Sequence, residues 1–138
     1  MGYSPVWACQ QALWRTLGNG SITVDNRTVK VVDNPDPGID AYPYIAIADT
    51  MELPLDTFSN FGSEIIFTVH IWTREIKGSQ LCKNIMSWIR NVIHRQVIEA
   101  PPYTTLGWLV DSARVTKDPH DDRVMHGIMQ IRVRTRTD

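Results

Sequence analysis

The sequence predicts an α+β fold: a mostly antiparallel β-sheet with two amphipathic helices packed on one face. Three observations carry that expectation. Two segments, Pro5 to Leu17 and Leu81 to Ile93, repeat apolar residues at helical spacing, while several others alternate with the period of a strand. The longest alternating segment, "EIIFTVHIWTR" from Glu64 to Arg74, sets Ile65, Phe67, Val69 and Ile71 on one face and Ile66, Thr68, His70, Trp72 and Arg74 on the other. A short turn at Pro119 joins the last two alternating segments, which suits an antiparallel hairpin. Two helices cover only one face of such a sheet, so the other stays open to solvent or to another molecule. A chain of 138 residues suits one core, and positions 1–138 are read as a single domain.

The elements follow in order. Ser4-Pro5 starts the first helix with a capping hydroxyl and a proline whose missing N–H costs nothing there. Val6, Leu13 and Leu17 share its apolar face, flanked by Cys9, Trp7 and Trp14, and Gly18-Asn19-Gly20 ends it. Asp25-Asn26 is a hairpin turn between Ile22–Val24 and Thr28–Val32, and "DNPDPG" then breaks the chain. Tyr44 to Asp49 reads as a strand with Pro43 tolerated at its start. "MELPLDTFSNFG", Met51 to Gly62, has no clean period and reads as a long loop, whose Leu53, Leu55, Phe58 and Phe61 lack a periodic route into the core. After the long strand, Lys77-Gly78-Ser79 turns into the second helix, with Leu81, Ile85, Trp88, Ile89 and Val92 on its apolar side. Trp108 to Thr116 and "VMHGIMQIRVRTR" are the last two strands. In the latter Met129, Ile131 and Val133 face in, and Gln130, Arg132, Arg134 and Arg136 face out.

Composition narrows the functional classes. Fourteen basic residues against fifteen acidic ones leave no global drive toward nucleic acid or an anionic membrane. No apolar run approaches the ~20 residues of a membrane span. The opening segment has neither a basic n-region nor a continuous apolar h-region, and Val6 stands where a myristoylation signal needs Ser or Thr. Cys9 and Cys82 fall on apolar helix faces and read as two buried free thiols.

Catalytic patterns are missing. No phosphate-binding glycine loop and no zinc-spaced cysteine pair occurs. "HDDRVMH" offers His120, Asp121, Asp122 and His126 as metal-type ligands, but a solvated acidic turn explains it more simply. His70 could act as a base with Asp111 from a neighbouring strand, yet no nucleophile stands beside it, so an interface or surface imidazole is the simpler reading of His70 and of His94. The expectation is therefore no enzyme, no metal and no cofactor. Arg132, Arg134 and Arg136, with Arg114 on an adjacent strand, form a basic stripe. It suits phosphate contact, a charged contact with a protein, or a solvated outer face. Aromatic residues beside arginine in a mostly uncharged setting are what protein interfaces enrich. The face of His70, Trp72 and Arg74, joined by Arg132 and Arg134, is accordingly read as a surface for another subunit.

The layout resembles the tail-completion proteins of long-tailed phages, also called tail terminators or head–tail joining proteins. The features that carry the resemblance are "PVWACQQALWRTL", the Pro-rich break before "YPYIAIAD", "FTVHIWTRE" followed by "GSQLCKNIMSWIRNVI", and "VDSARVTKDPHDDRVMHGIMQIRVR" with its D-P turn and His126-Gly127. The resemblance implies a structural virion protein without catalytic residues. It would form a ring, hexameric in the family, that caps the tail tube, terminates tube polymerisation and joins tail to head. Its partners would be further copies of itself, the tail tube protein and a head-completion or connector protein, with DNA passing through the lumen without sequence-specific binding. Its place would be the head-proximal end of the virion tail, and the host cytoplasm before assembly, with no membrane contact. Ring contacts are heterologous and need two different patches per subunit. Leu53, Leu55, Phe58 and Phe61 are the candidates for the second patch. The alternatives are a small nucleic-acid-binding module using the arginine stripe, and a small enzyme using His70 or the His120–His126 cluster.

Overall fold

A computed structural model describes residues 4–33, 42–55, 61–75 and 78–137. Among these the order is α1 (Pro5–Thr16), β1 (Ser21–Val24), β2 (Arg27–Val32), β3 (Tyr44–Pro54), β4 (Phe61–Arg74), α2 (Gln80–Ile93), β5 (Thr104–Lys117) and β6 (Val124–Thr137). The fold is α+β, as the two periodicities require.

Local chemistry sets the ends of the first elements. The Ser4 hydroxyl accepts the Val6 amide at 3.1 Å, and Pro5 follows it in the first helical turn. Gly18 closes α1 with φ +82, and a Cβ there would lie 2.2 Å from the Ser21 carbonyl oxygen, so only glycine fits the exit. Asp25 and Asn26 both have positive φ, the conformation that a two-residue hairpin needs, and they join β1 to β2.

The strands form one sheet in the order β1-β2-β3-β4-β6-β5. The sheet is mixed: β2 and β3 pair in parallel, and the other neighbours pair antiparallel. The parallel pair departs from the simple run of hairpins that the sequence suggests. Among its described residues, the expected loop from Met51 to Gly62 is mostly strand. Met51 to Pro54 complete β3 and pair with Ser63 to Ile66, while Phe61 and Gly62 open β4. Residues 56–60, which include Phe58, lie outside the described residues.

Residues of both helices and of the sheet belong to one hydrophobic cluster. Ile65, Phe67, Val69 and Ile71 of β4 are fully buried in it, with Met129, Ile131 and Val133 opposite them on β6 and Trp108 on β5. Cys9, Ala12 and Leu13 of α1, then Leu17, join from one side, and Cys82, Ile85, Ile89 and Ile93 of α2 from another. Gly127 lets β6 pass beneath α2: a Cβ there would stand 2.9 Å from the Met86 sulfur and 3.0 Å from the Cys82 sulfur. Both cysteines are free and buried, as expected, and burial pushes the Cys9 thiol up to about 12 and the Cys82 thiol to about 11.

Candidate functional site

The register of β4 places its alternate residues on the face away from this cluster. Trp72 lies directly opposite His126, His70 opposite Ile128, Thr68 opposite Gln130, Ile66 opposite Arg132 and Glu64 opposite Arg134. Side chains point alternately to the two faces of a sheet, so all of these share the second face. They are partly exposed, unlike the buried residues between them.

Trp72 and His126 stack with centroids 3.8 Å apart and planes 7° from parallel. The His70 ring follows at 4.9 Å from the His126 ring, and His70 Nδ1 meets His126 Nε2 at 2.6 Å, so one imidazole N–H donates to the other's lone pair. Half-burial holds His126 well below the usual histidine range, at about 4. The nearby His70 and Arg114 act in the same direction, and Asp118 opposes them weakly. At neutral pH His126 is uncharged and stacks on Trp72 as an aromatic platform.

The arginines beside it are already paired. Arg132 donates to Glu64 at 3.1 Å through Nη1 and to Asp111 at 3.1 Å through Nη2, while Arg134 Nε reaches the same Glu64 oxygen at 3.4 Å. A β-bulge between Val110 and Ser112 accommodates Asp111 as an extra residue and lets its carboxylate meet Arg132. Asp111 therefore serves Arg132 and not His70, whose partner is His126. Arg74 pairs with Asp121 at 3.3 Å. The backbone N–H of Arg123, and then the Arg123 and Arg74 guanidiniums, hold the Asp121 carboxyl below the usual carboxylate range. Two residues of the basic stripe, Arg132 and Arg134, are thus held in ion pairs once their neighbours are in place.

One residue of the predicted second patch, Leu53, joins the same face. A bulge between Ala48 and Thr50, with Asp49 at φ +36, shifts the alternation of β3 by one residue. Met51 then lies opposite Ile66 and Leu53 opposite Glu64, so both point to the side of Trp72. Met51, Leu53 and Leu55 are exposed. Phe61 stands opposite Thr137 at the start of β4. Leu53 and the His70–Trp72 platform are therefore parts of one surface, not two. Of the metal-type cluster, His126 turns into β6 toward Trp72, and Asp121 is spent on the turn. Among the described residues no three such side chains gather. His94 accepts the Val110 amide at 3.0 Å through Nδ1 and helps hold β5 against the end of α2.

A second candidate patch was not recognised from the sequence. Trp7 is half-exposed on the outer side of α1, where Trp7, Gln10, Gln11, Trp14, Arg15 and Asp33 line a groove of about 460 Å³. The signal was present: with Cys9 and Leu13 facing in, helical spacing turns Trp7 outward.

Fold and face together define a class of protein, a small α+β structural module whose distinctive feature is an aromatic, ion-paired sheet surface. Comparison with known proteins gives the family. The family model described as tail completion protein gp17 matches residues 19–136, and the chain belongs to that family. It is a structural protein of the phage tail. The chain is 27% identical over 93 residues to tail completion protein gp17 of Bacillus phage SPP1, covering 67% of each. Its fold is similar to that of a chain in the virion of a native gene transfer agent particle, with a TM-score of 0.69 and 14% identity over 94% of this chain and 92% of that one.

Proposed function

We propose that this protein forms a ring on the head-proximal end of the tail tube, where it stops tube polymerisation and provides the surface that joins tail to head. The observation that carries the reading is the open sheet face: Trp72 stacked on His126, with Leu53 and Met51 exposed further along the same side. Aromatic and apolar groups on a surface of paired charges suit protein contact, and an uncovered apolar patch calls for a partner. Both helices lie against the opposite face in this reading, which leaves the open face for the partner. Ring closure needs a second, different patch on each subunit, and the Trp7–Trp14 groove on α1 supplies one. Partners are further copies of the chain, the tail tube protein and a head-completion or connector protein. Arg132 and Arg134 are held by Glu64 and Asp111, and phosphate contacts carry no sequence information, so DNA in the lumen would be passed without sequence-specific contact.

The test is to add purified protein to tail tubes and image them by electron microscopy. Rings confined to one tube end, with elongation halted, are expected. Tubes that grow unchanged and carry no ring would refute the proposal.

A further inference from the structure

The His70–His126 pair has a property that a surface histidine lacks. Its two ring nitrogens stand 2.6 Å apart, so the pair is held by a single shared hydrogen. With no added proton, one ring donates and the other accepts. A first added proton can sit on the outer nitrogen of either ring and leave that bond intact. A second cannot, because both facing nitrogens would then carry N–H groups and both rings a positive charge. The Trp72 indole rests on the ring of this pair at 3.8 Å, so its placement is tied to the bond.

We propose that His70 and His126 form a proton-operated latch that fixes Trp72 flat in the open face and releases it when the pair takes its second proton. The groups that face the latch favour a single, late release. Arg114, which shares the face from β5, opposes added positive charge on His126, as does His70 from β4, while Asp118 beyond the end of β5 favours it. Arg74, next along β4, is already neutralised by Asp121. Ala46 of β3, opposite His70, brings no charge. The net balance keeps His126 neutral to about pH 4. The regulatory consequence, acid release of whatever covers Trp72, rests on the interface reading above; the latch itself does not.

The test uses the isolated full-length chain. Imidazole nitrogen and carbon-bound proton resonances, together with the Trp72 indole N–H, are followed by NMR from pH 8 to pH 3.5, with backbone amide spectra reporting the fold. The expected result is that the His126 ring resists protonation to about pH 4 and that the Trp72 signal moves in that step alone. In His70→Gln the His126 midpoint should rise by about one pH unit or more, because a competing positive charge is gone. In His126→Gln the Trp72 signal should no longer respond to acid. Two rings that titrate independently near the ordinary histidine value in the folded protein, or a Trp72 signal that ignores the second step, would overturn the latch. Sedimentation with tail tubes at pH 7.5 and pH 4 separates the two ideas. A latch that titrates as stated while tube binding ignores pH leaves the latch standing and counts against the interface reading.

Discussion

Phe67 and Trp72 share a strand and face opposite surroundings. Phe67 is fully buried in the hydrophobic cluster, and Trp72 lies half-buried on the other face against His126. Phe67→Ala should cost ~3–5 kcal/mol of stability because the cavity left beneath the helices cannot collapse fully. Trp72→Ala should leave thermal melting nearly unchanged and weaken assembly by ~2 kcal/mol or more, the scale of an interface anchor. Melting curves and tail-to-head joining in extract complementation separate the two effects. Equal melting losses would mean that both sheet faces are core. His126 adds a pH dependence whose sign is set by its depressed value of about 4. Above the unfolded value near 6.5 the ring is neutral in both states. Between there and pH 4 the unfolded chain takes up a proton that the folded one refuses, so stability falls as pH falls across that window. The ring is only partly buried and so partly screened by solvent, and the total should be ~1–2 kcal/mol, measurable as a loss of urea midpoint that His126→Gln abolishes.

The elements differ in how plainly they could be read. α2 and β4 were visible because each keeps one period without interruption, with Leu81, Ile85 and Ile89 on one and Ile65, Phe67, Val69 and Ile71 on the other. The far half of β3 was hidden by its bulge. Past Asp49 the positions that continue the Ile45–Ile47 face carry Thr50 and Glu52, so alternation appears to stop where the strand in fact continues. The partners of the open face were hidden for another reason. That Trp72 meets His126, and that Glu64 and Asp111 neutralise Arg132, depends on register between distant strands, which single-strand periodicity does not contain. The close passage of β6 under α2 yields a further prediction. Gly127→Val should destabilise the protein by ~1–3 kcal/mol through overpacking against the Met86 and Cys82 sulfurs. Combining it with Cys82→Ala should recover part of that loss, because the two residues share one space and their effects will not add. Urea denaturation of the single and double variants checks this. Strict additivity would show that the two sites are not coupled.

At the scale of the whole molecule, two features sit on separate elements: the open sheet face and the groove along α1. A head-to-tail ring must bring one kind of surface against another, so changes on either should block closure without unfolding the subunit. Trp7→Ser on α1 should accordingly leave the melting temperature within a few degrees of the parent and reduce ring formation at high protein concentration, as read by sedimentation velocity. Whether the open face is an assembly surface or a second layer of core can be read from its protection on tail tubes. Hydrogen–deuterium exchange can be followed across β4 and β6, together with side-chain labelling of Trp72, in the free subunit and on tail tubes capped by it. For an assembly surface, Trp72 is labelled readily in the free subunit and becomes protected on capped tubes, while exchange at Phe67 and Ile131 stays slow in both. Trp72 labelled equally in both states, on tubes that electron microscopy shows to be capped, would contradict it.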